Sequence, residues 1–581
     1  MKFKHLLIAA SVAAISITGA CKKTDSGDTA VVAANDGSAW GGAVDTFLTG
    51  YFKVNPTFAI YQGKHEFDGQ LPDWSPEGIK AGIDYRTKAI ADVKAVDESA
   101  MTDAQKFERD YLVHVMEGEL FALEDAESQY KNPSYYLGAL DPNVYVARPY
   151  ADATTRMKAF IAYANNVPKA AEQIKANLKL PMPATYLKLG QAGFNGFAEY
   201  YGGDAKKAFA EVKDEALQKQ FDEAAAKAGA AMKALATHIG SKPGTADGYA
   251  LGADKFAKMV LKTEGVDVSL DELEAIGRTD LKRNQDALAK ACGIYAPGAT
   301  MQDCMNKMGA NKAADGPVAE ARRQLPPLKK FLIDKDIVSI PGTEEAKVEE
   351  SPPYNRQNSA YIDSPGPYEK GLPSVYYISP PDPTWDKATQ DGFVPGKMDL
   401  LGTSVHEVWP GHFLNFLHAN RSNSIFGKLF VGYAFAEGWA HYTEEMMMDA
   451  GLGETAGDEK AAAEMKVGQL SNALLRNCRY LSAIGLHARG MTVAQSESLF
   501  KTECYQDAGN SKQQAARGTY DPGYLNYTMG KLMIRKLRDD WTKGDTKKWK
   551  AFHDEFLSYG GPPIPMVRQA MMKEAEAKAV F

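Results

Sequence analysis

Cysteine is scarce in this chain of 581 residues: there are five, none in a CxxC spacing and none beside a cluster of histidines. That excludes a zinc site built on cysteine. Four of them fall into near pairs, Cys292 with Cys304 and Cys478 with Cys504, and two local disulfides are the simplest of the three pairings possible. No block of basic residues occurs, and the formal charge of −7 becomes more negative still if Lys2 and Lys4 leave with a cleaved leader. Nucleic acid and anionic lipid surfaces are therefore not expected partners. Long apolar runs are missing as well. The run at the N-terminus, Leu6 to Ile17, falls short of the roughly 20 residues a membrane helix needs. Stretches rich in β-formers are few, and no internal repeat is visible.

What the N-terminus does hold is Lys2 and Lys4, the apolar run, then Thr18-Gly19-Ala20-Cys21, the layout of an export signal. Cys21 after Gly-Ala predicts a lipoprotein, with that cysteine carrying the lipid. The polar residues that follow predict a flexible tether. This divides the chain into a signal at 1–20, a tether at 21–38, a helical half at 39–340 and a half carrying the chemistry at 341–581, the last two forming one continuous fold. The expected location is the periplasm, with the membrane touched only through a lipid anchor at Cys21.

Helical periodicity dominates the remainder. It runs from Thr154 to Leu180 and from Asp204 to Ile239, then over Met398–Asn420, Phe430–Ala450, Ala461–Arg489, Thr492–Cys504 and Tyr524–Trp541. Ser269 and Glu272 predict a capping box at the start of another helix. Ser359–Asp363 and Ser374–Ile378 read as short strands around a Pro365-Gly366-Pro367 turn. The acidic stretch Gly342–Pro353 reads as a surface connection. A small sheet beside the helix at Met398–Asn420 is thus expected in a mainly α fold.

Two segments carry chemistry: His406-Glu407-Val408-Trp409-Pro410-Gly411-His412, and Glu437-Gly438-Trp439-Ala440-His441-Tyr442-Thr443-Glu444. Histidines four apart on a helix can share one zinc. Six apart, as here, an unbroken helix would set them ~120° apart around its axis and ~9 Å along it. Pro410 and Gly411 offer the remedy, because proline breaks the hydrogen-bond ladder and glycine takes backbone angles closed to other residues. A bulged turn could bring His412 back to the face of His406. These imidazoles and a third ligand, Glu437 or its neighbour one turn on, His441, would hold Zn2+ with one position open. Glu407 would serve as general base and Glu444 would orient a histidine. Taken singly, the first segment reads as a turn with incidental polar residues and Glu437 as a solvated carboxylate. Together they sit among Val408, Trp409, Phe413, Leu414, Phe416, Tyr433, Phe435 and Trp439, where unpaired buried charge would cost several kcal/mol.

The paired segments resemble the HExxPGH and EGWAxYxE signatures of a large bacterial family of unknown function. Many of its members are lipoproteins, and it is grouped with the zincin peptidases whose third ligand is glutamate. The resemblance extends over about residues 40–575. It implies a large helical zincin-like peptidase fold with a small β-sheet beside the active-site helix. It also implies His406, His412 and Glu437 as zinc ligands, Glu407 as base, and short peptides as substrates. Tyr527 matches a family tyrosine that could donate a hydrogen bond to the oxyanion, its other reading being a core tyrosine on an amphipathic helix. Arg479 and His487 match family residues too, with bracing of the cleft as one role open to them. Asn415, Ala483 and Tyr524 depart from the family pattern, which bears on substrate preference and on the groups behind the ligands. A strand near Val375–Ile378 is the expected partner for an extended substrate. Two other readings stay open. One is a non-catalytic, lipid-anchored zinc protein acting in binding or assembly; the other is a metal-dependent hydrolase of another amide, such as a cell-wall fragment.

Overall fold

Short polar side chains decide where the helices begin. Ser38, Asp152, Asp214, Ser269, Asp458 and Asp507 each accept a backbone N–H of the first turn that follows. The computed structural model describes residues 38–356 and 358–581, so the export signal, Cys21 and the tether up to residue 37 lie outside the described residues. Ser38, expected to end the tether, instead caps the helix Ala39–Val54. At Ser269 half of the expected box is formed: its side chain accepts from Glu272 N–H at 3.2 Å.

The described chain is mainly α with one small sheet. The helices that build or brace the candidate site are α1 (Ala253–Glu264), α2 (Leu270–Tyr295), α3 (Pro317–Lys335), α4 (Lys397–Glu407), α5 (His412–Ala419), α6 (Tyr433–Asp449), α7 (Glu459–Ala488), α8 (Ala508–Tyr520) and α9 (Asn526–Thr542). Helix α7 is buried on almost every side from Val467 to His487, as expected of a helix at the centre of a bundle. Helices α2 and α4 pack along it, and α6 lies against α9. The largest hydrophobic cluster joins Leu273, Leu281 and Leu288 of α2 to Val405, Trp439, Leu474 and Ile534, residues from both halves of the chain. A second cluster fills the bundle formed by Ala153–Asn177, Ala184–Gly202 and Glu215–Ile239.

A backbone contact fixes α6 against α9, and a buried polar network fastens α9 to α2 and α7. At Gly438 and Gly530 the backbones touch, and a Cβ added to Gly438 would lie 2.5 Å from the Gly530 Cα. Below them, Lys531 Nζ donates to Asp280 Oδ2 at 2.8 Å with both residues buried, and Asn477 of α7 donates to the same oxygen at 2.9 Å. Removing one member would strand the others without water, so this network ties α2, α7 and α9 together. The disulfides join Cys292 to Cys304 and Cys478 to Cys504, the local pairing.

The sheet has the order β1-β3-β2, with β1 (Ala346–Glu350) parallel and β2 (Ala360–Asp363) antiparallel to β3 (Ser374–Ile378). Buried Tyr376 pairs with Val348 on one side and Ile362 on the other. Three expectations change here. The stretch Gly342–Pro353 contains β1, whose Ala-Lys-Val-Glu-Glu buries only Val348 and so lacks an obvious strand signature. β3 is the central strand, paired on both edges, so it has no free edge for an extended chain; the free edges of the sheet belong to β1 and β2. The helix expected over Asp204–Ile239 is two, Asp204–Ala208 and Glu215–Ile239, because Asp214 caps the second.

Two buried histidines set a pH dependence. His553 donates from Nδ1 to Ile337 O at 2.6 Å and faces the Tyr442 hydroxyl through Nε2 at 2.7 Å; His487 faces Gly518 O at 2.7 Å. Burial holds each imidazole down at about 4, below the ~6.5 of an unfolded chain. Between those values the unfolded chain takes up protons that the fold excludes. The stability they contribute is complete above about pH 6.5 and falls as pH drops towards 4, by about 2–3 kcal/mol for each. Urea unfolding of native protein and His553→Gln at pH 7 and pH 4.5 checks this: the native chain should lose more than the variant, and equal losses would remove His553 from the account.

Candidate functional site: two histidines and a glutamate from three helices

The segment after Glu407 does not continue as a helix. Val408 leaves the helical region at φ −125° and ψ −70°, the Trp409–Pro410 peptide is cis, and α5 starts afresh at His412. In place of the bulge expected within one helix over Met398–Asn420 there is a tight turn between two. Its hydrogen bonds explain why. Val408 N–H still reaches Ser404 O at 3.0 Å, Pro410 has no N–H to offer, and Gly411 N–H folds back to Val405 O at 2.9 Å. Gly411 then sits against the carbonyl of His406, where a Cβ would overlap that carbonyl and approach Val405 O to 2.6 Å. Trp439 Nε1 of α6 donates to Pro410 O at 2.8 Å and clamps the turn in place.

This turn brings the two imidazoles together, with ring centroids 4.8 Å apart and planes at 90°. Glu437 of α6 meets both: its Oε2 lies 3.1 Å from His406 Nε2 and 3.1 Å from His412 Nε2. One atom from each of the three residues lies within 4.8 Å of the others. The 3.1 Å spacings approach the ~3.4 Å between ligands of a tetrahedral ion with bonds of ~2.1 Å. The donor set, two imidazoles and a carboxylate, is one that zinc favours, and so the residues fit the ion.

The surroundings are polar and buried. His406 Nδ1 donates to Glu444 Oε1 at 2.8 Å, and Arg476 approaches the same oxygen at 3.5 Å. Burial opposes ionisation of Glu444, but Arg476 and His441 outweigh it and hold the carboxyl well below its usual range. Glu437 is likewise held low, burial being outweighed by His412 and by hydrogen bonds from both histidines. Glu407 differs: burial pushes its carboxyl up to about 7, and its Oε2 has no hydrogen-bond partner. His441, the rival ligand, turns away from the cluster; its Nδ1 lies 3.4 Å from Glu444 Oε2.

Tyr527 stacks over His406 at 6.0 Å, and its hydroxyl accepts from Arg517 at 3.2 Å. Arg517 also reaches Tyr433 and Asp521, at 3.1 and 2.9 Å. His487 stands apart from the three candidate ligands, stacked on Phe256. Tyr524 points to Ser482 at 2.6 Å and Asn415 towards Gly560 O at 3.4 Å, while Ala483 is buried within α7. Arg476, Tyr433 and Arg517 were not singled out as functional from the sequence. Arg476 could have been, since it lies three residues before Arg479 on one face of α7. Arg517 arrives on α8, outside both motifs.

Fold and site together define a mainly helical protein with a buried cluster of two histidines and a glutamate beside a small sheet. The chain belongs to the family described as "Bacterial protein of unknown function (DUF885)", whose model matches residues 56–571. No curated protein matches it. Among solved structures it is similar to two proteins described as a putative lipoprotein. The one from Shewanella oneidensis, of unknown function, is 22% identical, with 92% of this chain and 100% of that one covered, at a TM-score of 0.72. The one from Colwellia psychrerythraea is 16% identical over 92% and 99%, at a TM-score of 0.76. Both share the fold. Pyrococcus furiosus carboxypeptidase aligns with a TM-score of only 0.37 at 9% identity over 92% and 96%, too low for any argument. No helix among the described residues is long and apolar enough to cross a membrane.

Proposed function

We propose that this protein is an exported zinc-dependent metallopeptidase that hydrolyses short peptides. One observation carries the reading: His406, His412 and Glu437 converge next to a buried glutamate, Glu407, that has an oxygen to spare. A structural role alone would leave several ionisable groups buried together at a cost of several kcal/mol.

Zinc in such a site polarises a carbonyl and supplies hydroxide near neutral pH. The rest falls to the protein. Glu444, by accepting from His406 Nδ1–H, fixes the tautomer that leaves Nε2 free as a ligand. Glu407 takes a proton from the attacking water and passes it to the leaving amine nitrogen. The Tyr527 hydroxyl, held by Arg517, donates to the oxygen on which negative charge develops. An extended peptide adds along the unpaired edge of β2, which packs against α4. His412 and Glu437 keep 11% and 19% of their side chains exposed, so a thin chain reaches them and a folded domain does not. Export and a lipid anchor at Cys21 belong to the same proposal, in keeping with the two similar structures described as putative lipoproteins.

Elemental analysis of the purified protein, joined to incubation with an unbiased peptide mixture, tests the reading. One zinc per chain and discrete cleavage products are expected. Zinc without cleavage would favour the non-catalytic alternative, and the absence of both would end the proposal.

A further inference from the structure

Three guanidinium groups surround Tyr527, and they are unequally provided for. Arg476, Arg479 and Arg517 lie 5.8, 4.6 and 5.8 Å from the centre of its ring. Arg517 is paired with Asp521 at 2.9 Å, and Arg476 approaches Glu444 at 3.5 Å while donating to Asn472 Oδ1 at 2.5 Å. Arg479 has no carboxylate partner among the described residues; its one hydrogen bond runs from Nε to Gln514 Oε1 at 2.8 Å. Yet it is 94% buried. Burial, with Arg517 alongside, draws it down to about 10. A buried guanidinium without a counter-charge is costly, and it asks for an anion.

We propose that Arg479, with Arg517 beside it, seats the C-terminal carboxylate of the peptide substrate, so that the enzyme trims peptides from that end. This rests on the hydrolytic reading above and names its substrate class. A peptide brings one fixed carboxylate, and a planar guanidinium binds it through two parallel hydrogen bonds. Tyr527 touches both the Arg479 guanidinium and the His406 ring, so seat and scissile bond are joined through one side chain. At roughly 3.5 Å per extended residue, the cut falls one to three residues from the C-terminus. The glutamates nearby do not serve as the missing anion: Glu437 faces the two histidines, and Glu444 faces His406, His441 and Arg476.

The test compares one peptide as free acid and as C-terminal amide, with the zinc-loaded mature protein and mass-spectrometric readout. The acid should be cut near its end with kcat/KM at least about tenfold above the amide, most of it in KM. In Arg479→Gln that ratio should fall towards one, and Arg479→Lys, which keeps the charge, should retain part of it. Equal rates for acid and amide at the same internal bonds overturn the proposal. Calorimetric binding of both peptides separates the two readings. If nothing is cut but the acid binds tighter than the amide and loses that advantage in Arg479→Gln, the carboxylate seat stands and the hydrolytic reading falls. If both bind equally, the seat falls.

Discussion

Glu407→Gln should reduce peptide turnover by about 10²–10⁴-fold while leaving the zinc content of the protein unchanged. The two halves of that expectation have separate grounds. Glutamine keeps the shape of the side chain but cannot accept a proton, so the step from water to leaving amine loses its carrier. Glu407 does not belong to the converging set of His406, His412 and Glu437, so the ligands stay as they are. Stability should not suffer either. Burial already resists ionisation of this carboxyl, and one of its oxygens makes no hydrogen bond. A neutral amide is no worse off there, and thermal unfolding should stay level or rise slightly. Steady-state kinetics, metal analysis and a melting curve on one preparation check all three. Undiminished cleavage would assign the base to another residue, and lost zinc would make Glu407 a ligand or a support for one.

Local sequence reports what neighbours along the chain decide, and the site shows where that ends. Spacing placed Glu437, His441 and Glu444 on one face of a helix, and α6 has them there. It could not choose between Glu437 and His441, because the choice depends on how α6 is rotated over α4. That rotation follows from the backbone contact of Gly438 with Gly530, nearly a hundred residues away, and from the Trp439 bond to Pro410. Pro410 and Gly411 did mark an interruption in the helical periodicity, but the apolar and small residues of Val408–Gly411 let it read as a bulge within one helix. That it ends α4 and starts α5 shows only when their hydrogen bonds are traced. Strand β1 was missed for the opposite reason. Four of its five residues face outward or lie half-exposed, and its place depends on β3 and α3 rather than on its own pattern. The arginines around Tyr527 come from α7 and α8, and no motif connects them.

Gly411→Ala should cost the protein its zinc as well as its activity, which separates it from Glu407→Gln. The added Cβ has nowhere to go: it would overlap the His406 carbonyl and crowd Val405 O at 2.6 Å, both backbone atoms of α4 that no side-chain rotation can clear. Either α4 yields, moving His406, or the turn opens, moving His412. Glu437 Oε2 now sits 3.1 Å from each imidazole, so a shift of about an ångström in either one takes a ligand outside the ~2.0–2.2 Å that zinc accepts. The Gly411 bond to Val405 O and the Trp439 bond to Pro410 O would be stretched together, since both hold the same turn. Overpacking of this kind costs about 1–3 kcal/mol in folding, little against the loss of a bound ion that itself stabilises the native state. Zinc content after dialysis should therefore drop well below one per chain, and the melting temperature should lose its response to added zinc. A variant that keeps stoichiometric zinc and a native response would mean that the turn merely accompanies the histidines, and that α6 alone is enough to hold the three ligands together.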